Sequence, residues 1–375
     1  MPVIRYLTKV HFGEGVFEEA LGIELDAHGL RRPFVILGRA PGSADLRRRV
    51  AKALSGRHPL IHPAEAREPD PDACQLAIGR YLAEGCDGLV AIGCDAILDL
   101  AKVVALGASH GPELAVYAVC EGGSSRIRGP LPPLFVVPVL AGTGGEVEGV
   151  ASVRLPDGDR LVFASPALVP ALAILDPTLA RGLPADVVLR RAVRTLLRCF
   201  ESYLASPYNP PADGLALDGL RRCWRRLADV GRRDDGEVRR ELTAAALEGG
   251  LAAQKGGGIG QALVAALAGL APPGTDAGAI AAVLLPAVLE FNRPAVADRF
   301  VELAHQLDLP SGDAVPAGVA HRLSTLGLPD RLGRLGFDAA CLALAAERAE
   351  ADRAHRTNPR RACAGELRAL LLRAL

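Results

Sequence analysis

Three arginines, Arg190, Arg194 and Arg198, recur at i, i+4 and i+8 and therefore share one face of any helix they occupy. Such a row has three readings, one of them an internal salt bridge that stabilises a closed pocket. Otherwise it is a solvated face, with Arg198 pairing to Glu201 at i+3, or it is a cradle for a carboxylate or phosphate. A second place for chemistry is Gly93-Cys94-Asp95-Ala96, which follows an apolar run ending in glycine. A glycine turn between strand and helix lets backbone N–H groups approach a diphosphate, and the helix N-terminus adds a favourable field. Asp95 sets a negative charge beside that diphosphate, and it is equally a good N-cap for a helix from Ala96. Gly142, Thr143 and Gly144 open another glycine-rich loop, followed by Gly145 and Glu146. Cys94, near a helix start, and Cys199 are read as buried structural thiols. Neither a Gly-x-Ser-x-Gly elbow nor a P-loop lysine motif is present.

The elements that must position these residues change character along the chain. Apolar runs at 33–38, 88–93, 134–139 and 172–175 read as strands, with helical patterns at 44–54, 72–84 and 96–106 between them. Continuous apolar strands separated by helices imply a parallel sheet covered on both faces. Asp157-Gly158 between short apolar runs predicts a hairpin. After Asp176-Pro177 the strand signals stop. Helices are expected over 186–204, 213–227, 237–253, 295–307, 337–353 and 365–372. The expected organisation is a Rossmann-like α/β dinucleotide-binding domain over 1–178 and an all-helical domain over 179–375.

Composition narrows the partners. Forty-three basic and 43 acidic side chains give a formal net charge of zero, so no overall field gathers nucleic acid or an acidic membrane. The Arg- and Asp-rich segment 225–240 interleaves both signs and reads as a solvated edge. No apolar run is long enough to span a bilayer, and the opening residues lack a signal-peptide pattern. The eight cysteines are scattered with no CxxC pair, which fits reduced thiols and a cytoplasmic location.

Read in order, short motifs converge on one family. Residues 12–15 read FGEG, 93–102 GCDAILDLAK, 138–147 PVLAGTGGEV and 176–184 DPTLARGLP. Residues 209–213 read NPPAD, 284–286 LLP with Phe291-Asn292 after it, and 357–360 TNPR. This series resembles the iron-containing (metal-dependent) alcohol dehydrogenases, and the resemblance runs nearly end to end. It implies a nucleotide-binding α/β domain followed by an all-helical domain, a nicotinamide cofactor, hydride transfer to or from an alcohol or aldehyde, and a homodimer or larger assembly.

The chemistry positions depart from that pattern. The family's metal is held by one Asp and three His of the helical domain. Counting back from Glu201 along the family's GxDAxxHAxE helix puts Arg194 at the Asp and Arg198 at the first His. In the GxxHAxxH stretch Gln261 stands at the ligand position and Ala265 at the second His, and Ala277 stands at the His of PHG. No histidine falls between His110 and His305, so a shift of register restores nothing. Arginine has no lone pair to give, so no metal is expected. Arg194 and Arg198, with Gln261, become the candidate catalytic residues.

For the cofactor, the resemblance points to Gly93, Asp95, Asp99, Lys102, Gly142, Thr143, Gly144 and Arg160, the last on the nicotinamide side. Arg39 follows the strand where family members carry an Asp for the adenosine ribose. It suits a 2′-phosphate, hence NADP rather than NAD, or is an exposed loop arginine. Two function classes follow. One is an NAD(P)-dependent oxidoreductase acting without metal on a small, anionic carbonyl or alcohol. The other is a catalytically inactive scaffold or small-anion-binding protein.

Overall fold

A computed structural model of the chain describes residues 4, 6, 8–39, 43–142, 144–231, 236–272 and 274–375. Two compact units emerge, one comprising Tyr6–Leu183 with Asp235–Thr243, the other Met1–Arg5, Pro184–Asp234 and Ala244–Leu375.

The first unit runs β1 (Lys9–Phe12), α1 (Phe17–Ala27), β2 (Pro33–Gly38), α2 (Ser43–Ala53), β3 (Leu60–Ala64), α3 (Pro71–Ala83), β4 (Gly88–Gly93), α4 (Asp95–His110), β5 (Leu134–Pro138), β6 (Val150–Arg154), β7 (Arg160–Ala164) and β8 (Leu172–Leu175). Among the described residues six strands form a wholly parallel sheet in the order β1-β8-β5-β4-β2-β3. The alternation of side chains divides the core in two. Phe34, Ile36, Leu89, Ala91, Leu134 and Val136 pack with α3 and α4. Val35, Leu37, Val90, Ile92, Phe135 and Val137 pack with α1 and α2. Because both faces are covered, the strands need apolar residues at every position, which is why β2 and β4 are buried throughout. The expected hairpin is β6–β7, turned at Gly158, whose φ of +81° suits glycine.

The sequence reading missed β1 and β3. Both lie at sheet edges and are only partly buried, and β3 holds His62 and Pro63, which break an apolar run. It also missed α1, and α4 extends beyond its expected end to His110, where Gly111 at φ +94° stops it.

The second unit is helical: α5 (Ala185–Leu204), α6 (Pro210–Arg226), α7 (Gly236–Ala252, whose start belongs to the first unit), α8 (Ile259–Leu270), α9 (Ala277–Asn292), α10 (Ala297–Gln306), α11 (Val315–Thr325), α12 (Ala339–Ala351) and α13 (Ala364–Ala374). Asn209 caps α6 through the Ala212 N–H, with Pro210 and Pro211 at the first helical positions, which need no donor. α8 and α9 are buried over most of their surface and form the centre of this unit. Residues 232–235 of the charged segment lie outside the described residues. No described helix is long and apolar enough to cross a membrane.

Candidate active site

In the first unit the chain order reverses at β2. Strand β3 lies on one side of it and β4 on the other, so the crevice beyond the carboxyl ends of β2 and β4 is the switch point at which open α/β sheets take ligands. Both strands end in glycine. A Cβ on Gly93 would meet Ile97 Cγ1 at 2.7 Å, and one on Gly38 would lie 3.4 Å from the Gly93 Cα. The missing side chains thus let α4 seat directly on the strand ends. The N-cap of α4 is Cys94, not Asp95 as the sequence suggested; Asp95 is the first helical residue. Its half-buried carboxylate still stands in the turn that would face a diphosphate. Gly142 and Gly144 are buried, Gly144 at φ +77°, and Thr143 lies outside the described residues.

Lys102, which the resemblance points to for the cofactor, is held by the protein's own backbone. It is fully buried, and Nζ donates to the carbonyls of Gly145 (2.6 Å), Glu148 (2.7 Å) and Val150 (2.9 Å). An ammonium has three protons, so none remains for a phosphate. Lys102 instead ties Gly145, Glu148 and the start of β6 to α4. Asp99, one turn earlier, accepts from the Ser152 N–H (3.3 Å) and hydroxyl (3.0 Å). Burial pushes its carboxyl up to about 7, against the pull of Lys102 and Ser152. Burial also draws the Lys102 ammonium down, with Asp99 opposing. The two residues act on backbone placement.

Arg39 leaves the end of β2 and pairs with Glu65 at 2.9 Å, both more than half exposed. Arg160, at the start of β7, is engaged by Glu68 through Nε at 2.6 Å and Nη2 at 2.8 Å. Glu68 also accepts from the Ser152 hydroxyl at 3.0 Å. The loop after β3 therefore supplies two carboxylates to predicted site arginines, and nothing in its sequence marked them. The FGEG and DPT motifs prove to be one fastening. Asp176 accepts from the Gly15 N–H (3.0 Å), the Phe17 N–H (3.3 Å), Thr178 and Arg49 Nη2 (2.8 Å). Burial works against its charge, yet these donors hold the carboxyl below the usual range. An open concavity of about 720 Å³ beside them is lined by Glu14, Glu18, Arg49, Thr178 and Arg181, none of them a predicted site residue.

In the helical unit, α5 buries the stripe Val188, Leu189, Ala192, Val193, Leu196, Leu197 and Phe200. Arg190, Arg194 and Arg198 are half-buried along its flank, not a fully solvated face. Arg190 pairs with Asp186 (2.7 Å) and reaches Asp276 (3.7 Å), the N-cap of α9, beside a cavity of about 420 Å³ walled by Leu189, Ala279 and Leu328. The methylenes of Arg198 lie 3.8 Å from where a Cβ on Gly249 would be. Cys199 packs against Gly219 and Gly249, and burial pushes its thiol well up, as expected of a structural cysteine. Glu201, 2% exposed, accepts the N–H of Gly260 (2.5 Å) and of Gln261 (2.9 Å) in the first turn of α8. Burial raises its carboxyl to about 7, opposed by those bonds and by the charge of Arg198. The structure thus brings Arg198, Glu201 and Gln261 into one neighbourhood, and Arg190 together with the cap next to Ala277.

These residues do not fit a divalent metal. Arg194 and Arg198 carry fixed positive charge, and Ala277 offers no donor atom. The Gln261 side chain is turned to the Glu201 carboxyl. No cluster of three His, Cys, Asp or Glu side chains suited to a metal occurs among the described residues. Arg194 and Arg198 bring guanidinium groups to two of these positions.

Comparison with known proteins agrees with this architecture. A family model described as iron-containing alcohol dehydrogenase matches residues 8–177, and one for the C-terminal part of the same family matches residues 191–375. A 4-hydroxybutyrate dehydrogenase from Cupriavidus necator is 36% identical over 379 residues, covering 99% of each chain. A probable alcohol dehydrogenase, EutG, from Escherichia coli (strain K12) is 29% identical over 91% of this chain and 87% of its own. A crystal structure of 1,3-propanediol oxidoreductase superposes with a TM-score of 0.91 at 24% identity over the whole of both chains.

Proposed function

We propose, since the chain belongs to the iron-containing alcohol dehydrogenase family, that it transfers a hydride between NAD(P) and a small carbonyl or alcohol bearing a carboxylate, without the family's metal. The observation that carries this reading is the pair of half-buried arginines, Arg194 and Arg198, at two positions where the family has metal ligands. The cofactor would supply the hydride. As it reaches the carbonyl carbon, negative charge grows on the oxygen, and a positioned guanidinium stabilises that charge by field and by hydrogen bonding. The same row of arginines favours a substrate that is itself anionic. The Cupriavidus relative is named for 4-hydroxybutyrate, an alcohol with a terminal carboxylate. In the first unit, the glycine-ended crevice and the loop tied down by Lys102 support nucleotide binding.

The test is oxidation of NADPH and NADH with 4-oxobutanoate and, in parallel, uncharged butanal, in excess chelator. The expected result is turnover that chelation leaves unchanged, prefers the carboxylate-bearing aldehyde, and falls by roughly 10²–10³ in Arg194→Met or Arg198→Met. Turnover that needs added divalent metal, or is equal for both aldehydes, overturns the reading. The second reading, a catalytically silent binder or scaffold, is favoured by Asp95, whose carboxylate opposes a diphosphate at the crevice. Absence of saturable binding of either nucleotide up to about 1 mM, the upper end of ordinary KM values, selects it.

A further inference from the structure

We propose that Glu65 sets the balance between NADH and NADPH by competing with the cofactor's 2′-phosphate for Arg39. The inference rests on the nucleotide-binding reading above. β2 and β3 run parallel, with Gly38 opposite Ala64 as their last paired residues, and the Arg39 N–H donates to the Ala64 carbonyl at 2.9 Å. The next residue of each strand therefore leaves the sheet beside the other. Arg39 Nη1 and Glu65 Oε1 meet at 2.9 Å, with side chains 66% and 57% exposed. The pair is solvent-accessible and one residue beyond Gly38, the strand end that borders the crevice at the reversal of strand order.

At the adenosine ribose of such a crevice, a carboxylate accepts from the 2′-hydroxyl of NAD(H), and an arginine accommodates the 2′-phosphate of NADP(H). This chain holds both groups, already joined. A ribose 2′-hydroxyl can donate to Glu65 and leave the ion pair intact. A 2′-phosphate brings nearly two further negative charges to a guanidinium that a carboxylate already engages, so it must displace Glu65 or share Arg39 with it. The wild-type chain should therefore bind both nucleotides with little preference. Its NADPH affinity should fall more steeply with salt than its NADH affinity.

The experiment is a fluorescence titration of NADH and NADPH onto the wild-type chain, Glu65→Gln and Arg39→Gln at low salt. Glu65→Gln keeps size and hydrogen bonding and removes the charge. The ratio of NADPH to NADH affinity should rise about three- to tenfold in Glu65→Gln and fall in Arg39→Gln. Both side chains are exposed, so unchanged thermal midpoints should show that the fold is intact. A wild-type chain that binds nucleotide, with the ratio unmoved in Glu65→Gln, overturns the role of Glu65. A wild-type chain that binds neither nucleotide overturns the nucleotide-binding reading itself, and this inference with it.

Discussion

Along α5, Glu201 and the Arg194–Arg198 pair are neighbours with opposite relations to the family pattern. Glu201 matches the motif and works as a fastener, taking two N–H groups from the first turn of α8. Two other matching motifs converge on the same turn. Asn358 of the TNPR segment accepts from the Ile259 N–H and exchanges two hydrogen bonds with Asn292 of the FN pair, while Thr357 bonds both backbone groups of Gly257. Arg194, Arg198, Gln261 and Ala277 depart from the pattern, yet the same fold stands. The difference teaches that the motifs which make the chain recognisable hold backbone together, and that side chains at the chemistry positions are free to change without unfolding it.

Breaking the fastening side should therefore cost stability first. The largest expected effect is that of Lys102→Met, which takes the buried ammonium from the carbonyls of Gly145, Glu148 and Val150 and from the neighbourhood of the Asp99 carboxyl. Breaking a buried ionic cluster from one side costs about 3–5 kcal/mol, so urea unfolding should move by that amount. A loss below about 1 kcal/mol would show that water enters and replaces the ammonium.

The complementary variant restores the chemistry side. Arg194→Asp, Arg198→His, Gln261→His and Ala277→His together should let the chain bind one divalent ion, if the fasteners hold these positions as the family does. Saturating metal, at about 100 times Kd, should then stabilise the variant by about 2.7 kcal/mol and leave the wild type unmoved. Calorimetry that detects no binding would mean the four positions do not converge. A smaller effect is expected at Asn358→Ala, which strands the Ile259 N–H and both polar groups of Asn292. Roughly 2 kcal/mol should be lost, read from the same unfolding curves.

How far the sequence could be read follows the same division. The parallel sheet was legible because β2, β4, β5 and β8 are covered on both faces and so are apolar at nearly every position. β1 was not, since an edge strand of four residues with one lysine and one histidine carries no such run. α8 and α9 were passed over as helices because apolar residues surround them, which erases the helical period. Arg194 and Arg198 could be placed at ligand positions of the family pattern by counting from Glu201. The burial of Lys102 could not be read, because a lysine one turn after an aspartate looks the same in sequence whether it meets solvent or carbonyls. Glu65 and Glu68 carried no signal either, as their roles arise from strand register and from a hairpin that folds back from far along the chain.

Glu201 also offers a pH test of the contrast. Burial raises its carboxyl from the ordinary range to about 7 in the folded chain. Between about pH 4.5 and pH 7 the folded chain then holds more protons than the unfolded one, so this group's contribution falls as pH rises. Glu201→Gln removes that slope. The variant should gain about 2.5 kcal/mol relative to wild type between pH 5 and pH 8. The opposite slope would show that the helix N–H bonds and Arg198 outweigh burial. Asp99, also raised to about 7, adds a decline of the same sign in both proteins.

The smallest effect belongs to Asp95, where fastening and chemistry compete in one residue. In the first turn of α4 its carboxylate favours the helix, a contribution of about 0.3–1 kcal/mol. The same charge opposes a diphosphate at the strand ends. Asp95→Ser should therefore cost the fold no more than that amount while tightening NADH and NADPH together, about three- to tenfold, since both carry the same diphosphate. Equal tightening separates this effect from that of Glu65→Gln, which acts on the ratio. If Asp95→Ser loses stability and leaves both affinities unchanged, the carboxylate belongs wholly to the fastening side, and the crevice does not receive a diphosphate in that turn.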